Sequence, residues 1–267
     1  MKAISRIFLQ LGFAVMFLSA ALSLMGLLWE GLYQDTNWFI LTGWWINDWV
    51  TLLMAVPLFF LAIYLGKKGS KRGFALLTGL MMYTVYNYSY YLFGAAFNAA
   101  FLGYVFVFVL GLFGLLTGAC ILFSMLRRDD LPSIRATRSI SSYMVLTGVF
   151  LSIGWIGQWV NFILKGINPP LLEQLGATNH LVAALDLTVV VPWFVFAAVL
   201  LWKQNILGLI ISFMVHVKTV IYNVILLWGS VFQHNAGVDG AAVLMPLWGF
   251  FLMGSIASLV ILFRSLK

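Results

Sequence analysis

Charge is what this chain has least of: Asp, Glu, Lys and Arg make up 9% of its 267 residues. A soluble domain carries about a quarter, so a water-facing globule is excluded. The 3 histidines cannot build the usual metal sites, and no His box, H-E-x-x-H, G-x-S-x-G or P-loop occurs. No enzyme activity is expected, and no cofactor is called for. The single cysteine, Cys120, allows neither a disulfide framework nor a cysteine-ligated metal; a small, buried packing role is expected for it. The basic residues are split among short loops instead of forming one patch, which argues against nucleic acid as a partner.

What is abundant is apolar. Hydrophobic residues reach 63% and the mean hydropathy is +1.02, so the expected partner is the lipid bilayer. A helix needs about 20 residues to cross a hydrocarbon core of about 30 Å. Eight runs are long enough, near 7–29, 48–66, 74–93, 98–126, 140–164, 182–202, 206–228 and 241–263. They are continuously apolar rather than alternating, which favours helices over a barrel. The first run exceeds a usual signal-peptide core and has a counterpart in the fifth, so it is expected to be retained.

Of the 15 Lys and Arg residues, 13 fall on one side: Lys2, Arg6, Lys67, Lys68, Lys71, Arg72, Arg127, Arg128, Arg135, Arg138, Lys203, Arg264 and Lys267. Lys165 falls on the other side and Lys218 within a span. The positive-inside rule then places both termini in the cytoplasm. Glu30, Asp35, Asp48, Glu173 and Asp239 are expected outside. The net charge of +7 is thus a topology signal, with some affinity for anionic lipid heads.

A pattern is written twice, about 135 residues apart. Asp48, Pro57, Lys67 and Tyr86-Asn87 are answered by Asp186, Pro192, Lys203 and Tyr222-Asn223, and Phe17-Leu18-Ser19 by Phe150-Leu151-Ser152. Self-similarity at a fixed offset is an architectural signal. It predicts an all-α integral membrane bundle of eight transmembrane helices, made of two tandem, parallel four-helix repeats. Residues 1–128 form the first repeat, 129–139 a cytoplasmic linker and 140–267 the second. The longer outer connections, 30–47 and 165–181, occupy equivalent places. The former carries Trp29, Trp38, Trp44 and Trp45, with Trp49 just beyond. They read as an aromatic belt or as a segment capping an outward pocket. Gly103, Gly111, Gly114 and Gly118 lie near one face of the fourth span, and Gly254 and Ser258 repeat the spacing in the eighth. Small residues at that spacing mark helix contacts.

The seventh span carries the strongest polar signal. Lys218 falls near the bilayer midplane, where an ammonium costs a few kcal/mol. Asp186, about six residues nearer the outside (roughly 9 Å at 1.5 Å per residue), is the expected partner. The two form a structural ion pair or a substrate or ion site; otherwise Lys218 snorkels alone. His216 shares a stripe with Ser212, Thr219 and Asn223 and either relays protons or only hydrogen-bonds within the bundle. Lys218 and Tyr222 sit side by side one turn apart. In the first repeat the charge is missing, Met82 or Tyr83 standing at the matching place. Tyr83, Tyr86, Asn87, Tyr90 and Tyr91 instead share a broad outer-half face, as belt anchors or as the lining of a cleft. Gln158 and Asn161 lie at similar depth. The ligand or ion candidates are therefore Lys218, Asp186, His216, Asn223, Tyr222, Tyr83, Tyr86, Asn87, Tyr90, Gln158 and Asn161.

The stretch from Tyr86-Asn87-Tyr88-Ser89-Tyr90-Tyr91 to Phe97-Asn98 resembles a segment of uncharacterised bacterial multi-pass membrane proteins. So do Leu185-Asp186-Leu187 through Val191-Pro192 and the Lys218 region. The resemblance covers about half the spans, implies a bacterial plasma membrane and carries no activity. Two functions are compatible with these features: a small-molecule or ion transporter or binding protein with a polar site in the outer half, or a non-transporting sensor, accessory or scaffold protein. Self-association is compatible with either.

Overall fold

The structure is a computed structural model and describes residues 2–238 and 240–266. Asp239 and Lys267, both assigned sides above, lie outside the described residues. The described chain is helical throughout, without strands. Its helices are α1 Lys2–Leu28, α2 Trp38–Lys67, α3 Lys71–Phe93, α4 Phe101–Met125, α5 Ile134–Lys165, the short α6 Pro170–Leu175, α7 Leu181–Trp202, α8 Ile206–Asn235 and α9 Met245–Ser265. Seven of these are long and apolar enough to cross a membrane: α1, α2, α4, α5, α7, α8 and α9. The eighth expected span, α3, forms a 23-residue helix but is too rich in Tyr, Thr and Asn to meet that measure of apolarity. Its place in the bundle explains how it survives: α3 packs against α2, α4 and α8, and nearly all its residues from Gly73 to Tyr91 are buried.

The helix ends follow local chemistry. The outer connection expected at 30–47 is largely helix, because Asn37 caps α2, its side-chain oxygen accepting from the Phe39 and Ile40 amides at 2.9 and 3.4 Å. Of the tryptophans there, Trp44 is buried against Tyr91, while Trp29, Trp38, Trp45 and Trp49 are exposed. Similarly, α5 begins inside the expected 129–139 linker. Pro132 ends the preceding turn and the Ser133 hydroxyl accepts from the Ala136 amide. The rest of that linker is a 3-10 turn, Arg128–Asp130, tied back by the 2.8 Å ion pair of Lys71 with Asp130.

α2 and α7 share a distortion. Each contains a π-helical turn, Thr51–Ala55 and Asp186–Val190, ending one residue short of Val56-Pro57 and Val191-Pro192. Proline offers no amide and crowds the preceding turn, and a wider turn accommodates it. Counted back from the prolines, Asp186 stands where Thr51 does, and Asp48 sits three residues further out. The Asp48–Asp186 match read from the sequence is therefore out of register.

The turns after these helices are alike as well. Gly69 has φ +74° and Gln204 φ +55°. Ser70 and Asn205 cap the next helices, and a Cβ on Gly73 or Gly208 would fall 2.5 or 2.3 Å from backbone nitrogen of the previous helix. A left-handed φ costs a non-glycine residue about 1–2 kcal/mol, part of which glycine's flexibility gives back. Gln204→Gly would relieve that conformation but also remove the Gln204 side-chain bond to the buried Thr137 hydroxyl, which contributes about 0.5–1.5 kcal/mol, so little change is expected in the midpoint of thermal unfolding in detergent. Gly69→Ala should lower it.

Helices α1 to α4 pack on one another, α7 packs on α5, and α8 packs on α7 and α9. The two groups meet along α3 and α8, with the Trp38–Val50 part of α2 also against α8. At the seam a Cβ on Gly79 would lie 2.5 Å from Cβ of Val217, so the glycine sets the interhelical distance. Of the glycine face expected on α4, Gly111, Gly114 and Gly118 abut Thr84, Met81 and Thr78 of α3, while Gly103 meets Leu22 of α1 instead. Gly254 abuts the ring of Tyr143 on α5, whose hydroxyl donates to the Phe251 carbonyl at 2.7 Å. Cys120, expected inside, is exposed; it sits on the other side of α4 from the glycines that face α3.

Candidate functional site

Most of α8 is shielded by other helices, 83% of its most apolar window being buried. This is what permits a charged residue in its middle. Lys218 keeps 5% of its surface exposed and Asp186 8%. They are not in direct contact: no ion pair within 4.0 Å joins them. Tyr86 of α3 stands between. Its hydroxyl donates to Asp186 Oδ1 at 2.7 Å, and the Lys218 ammonium lies 3.5 Å from its ring centroid. The Tyr222 ring, 5.1 Å from the ammonium, closes a second side. The sequence reading expected a Lys–Asp pair, and the structure corrects it to a pair coupled through an aromatic ring.

The pairing has a physical basis. Both oxygens of Asp186 are engaged, because Oδ2 accepts from Trp155 Nε1 at 2.9 Å. The single Tyr86 proton is committed to Asp186, so the Tyr90 hydroxyl, 3.0 Å away, donates to Tyr86. Tyr90 stacks on Tyr222 at 5.6 Å, and Tyr222 meets Tyr86 edge-on at 4.9 Å. A desolvated cation–π contact contributes about 2 kcal/mol or more. That is comparable with the about 2.5–3.5 kcal/mol that insertion scales assign to a buried Lys. Lys218 makes no hydrogen bond to any described residue, and its ammonium lies against the Tyr86 and Tyr222 rings.

Besides His216, helices α2, α3 and α8 carry buried polar atoms with no hydrogen-bond partner among the described residues. They are both side-chain atoms of Asn87, Oδ1 of Asn223, Oγ1 of Thr219 and Oδ1 of Asn47. Asn87 is 1% exposed. Asn223 uses its amide on the Thr219 carbonyl at 2.8 Å. Each such group costs about 1–3 kcal/mol, and α3 and α8 carry most of them.

Other candidates fall elsewhere. Tyr83 shares a hydrogen bond with Thr51 at 2.9 Å, in the first group of helices. His216, fully buried, lies 3.3 Å from the Ser255 hydroxyl between the rings of Tyr143 and Phe194. It faces α5, α7 and α9, away from the Lys218 ammonium. Gln158 and Asn161 are half-buried on the outer part of α5, and neither has a hydrogen bond to the cluster. Trp155, one turn before Gln158, is the α5 residue that reaches it. The sequence offers little to single out Trp155 among 11 tryptophans beyond its lying opposite an intramembrane acid.

No family model, curated protein or solved structure matches this chain. The site therefore has to be read from its own geometry.

Asp48, expected outside, is 2% exposed inside α2. It accepts from the Tyr33 hydroxyl at 2.5 Å and the Tyr91 hydroxyl at 3.0 Å. Gly26 leaves room for them, since a Cβ there would sit 2.0 Å from Asp48 Oδ2. Trp44 meets Tyr91 in a tilted contact at 4.8 Å and stacks on Tyr33 at 6.2 Å, which adds to the aromatic surroundings of the two donors. Tyr33, in the α1–α2 connection, has its ionisation pushed far up by burial and then by the Asp48 carboxyl. At the outer end of α7, His180 accepts from the Ala183 amide at 3.3 Å and meets Trp155 edge-on at 5.0 Å. Burial holds its pKa below the usual imidazole value. Among the described residues no three His, Cys, Asp or Glu side chains converge to hold a metal ion.

Proposed function

We propose that this protein is a multi-pass carrier or binding protein for a small anionic solute, held at the α3–α8 seam. In this reading α3 is an eighth crossing, and the halves 1–128 and 140–267 are tandem repeats meeting at that seam. Both termini are cytoplasmic in a bacterial plasma membrane. α3, at 23 residues, is about 34 Å long, enough to span. The chain's two described ends also lie beside the α2–α3 turn: Lys2 shares a cavity with Lys67, and Arg72 donates to the Leu266 carbonyl. That placement supports an even number of crossings in this reading.

The observation that carries the function is the Lys218 ammonium, buried against two aromatic rings with no oxygen partner among the described residues. Asp186 already has two donors, so the positive member of the pair is the one with unused hydrogen-bonding capacity. An anionic group would be met by Lys218, with Asn87, Thr219 and Asn223 supplying neutral contacts. A solute at this depth has to be shielded from lipid, which α3 and α8 provide.

The purified protein in detergent should gain thermal stability from at least one member of a panel of carboxylates, phosphate, sulfate and chloride. Lys218→Met should abolish that gain. If no anion stabilises the wild type, or if Lys218→Met leaves the gain intact, the anion-binding reading is wrong. A non-transporting sensor or scaffold is favoured by one feature, the close ring packing around Lys218. The cavity of about 90 Å³ beside Tyr91 and Tyr104 lies at the outer end of α3 and α4 instead. Binding of an anion without its flux into liposomes would select that reading.

A further inference from the structure

A cavity of about 1010 Å³ opens at the basic end of the bundle between α1, the end of α2 and α4. Ligand pockets run to about 300–1,000 Å³, so the space accommodates a large, partly apolar molecule. Its floor is apolar, with Leu9, Phe13, Ile63, Ile121 and Met125. Phe13 is 58% exposed. Its rim carries Lys2 and Arg6, one helical turn apart on α1, and Lys67 and Lys68 at the end of α2. No acidic side chain lines it. The Lys68 ammonium is engaged by Tyr64 of its own helix, hydrogen-bonded to the hydroxyl at 2.5 Å and 4.2 Å from the ring centroid. Lys71, on the next helix, is consumed by Asp130. Lys2, Arg6 and Lys67 have no ion-pair partner among the described residues.

We infer that this groove is a binding site for one anionic glycerophospholipid. Its phosphate lies among Lys2, Arg6 and Lys67, and an acyl chain runs along Leu9, Phe13 and Ile121. Four cations at one rim, with no acidic side chain among the described residues that line it, attract an anionic headgroup. The apolar strip leading from them toward the bilayer centre suits a chain but not free phosphate. The cationic rim and apolar floor together favour a lipid over a soluble anion or a protein segment. The site is separate from Lys218, so the inference stands whether or not the seam binds a solute.

The test uses the full chain in nanodiscs of phosphatidylcholine alone or with phosphatidylglycerol. Phosphatidylglycerol should raise the thermal midpoint and remain bound when the protein is released from mixed micelles for native mass spectrometry. Arg6→Gln with Lys67→Gln should reduce lipid retention at least fivefold. Arg135→Gln with Lys203→Gln, which removes two exposed charges outside the groove, should leave it unchanged. Cys120 lines the groove, so its alkylation by a membrane-permeant maleimide should slow several-fold in the wild type when phosphatidylglycerol is present. Equal loss in both double variants would show general surface attraction and overturn the site. So would unchanged Cys120 labelling, or protection by inorganic phosphate alone.

Discussion

Asp186→Ala is expected to destabilise the bundle by about 3–5 kcal/mol, the cost of removing one member of a buried charge pair. The substitution strands the Lys218 ammonium on π faces and leaves the Tyr86 hydroxyl and Trp155 indole without their acceptor. Lys218→Met added to it should recover much of the loss, because an apolar replacement of the whole pair is often close to neutral. The coupling is read from a double-mutant cycle of unfolding free energies in mixed micelles. Tyr86→Phe tests the link: the ring stays under the ammonium while the bond to Asp186 goes, for about 1–3 kcal/mol. A cycle without coupling, with Asp186→Ala costing under about 1 kcal/mol, would show that Tyr86 does not connect the two charges.

Gly79→Val is expected to have the second large effect, because it acts on the most extensive contact between the two helix groups among the described residues. The first added carbon falls 2.5 Å from Val217 Cβ and 2.7 Å from its Cγ2. Neither is the tip of a flexible side chain, so α3 and α8 have to move apart. Overpacking of this kind costs about 1–3 kcal/mol and occasionally more. The same displacement lengthens the Lys218–Tyr86 contact, which crosses the seam. Val217→Gly, which takes away the Cβ itself, should partly rescue Gly79→Ala, and the pair can be followed by thermal unfolding. Gly43, which has no atom within 4 Å of such a Cβ, provides the control. Its replacement by alanine in the exterior of α2 should change stability little.

These two positions illustrate how much of the molecule was legible beforehand. The place of Lys218 on a helix too apolar to tolerate it already required burial, since hydrocarbon imposes a cost on any exposed ammonium. The glycine spacing of α4 marked a contact face for the same reason of elementary sterics. Asp186 was recognisable as a partner, but Tyr86 as the intermediary was not. Which aromatic ring lies under an ammonium depends on the rotation and offset of α3 against α8. That offset is set by Gly79 meeting Val217, a contact between residues 138 apart in the chain. The burial of Asp48 was not legible from its own span. Its burial comes from Tyr33 in the preceding connection and Tyr91 on another helix.

Composition and periodicity were enough to establish a helical chain bound for a lipid environment, because both follow from local chemistry and length. The π turns before Pro57 and Pro192 show where that reach ends. Proline announces a distortion, yet the extra residue shifts every side chain beyond it around the helix. Asp186 thereby opens the wider turn in α7, while Asp48 lies three residues before its counterpart in α2. Contacts between residues remote in the chain, and the helix rotations that bring them about, were settled by packing alone.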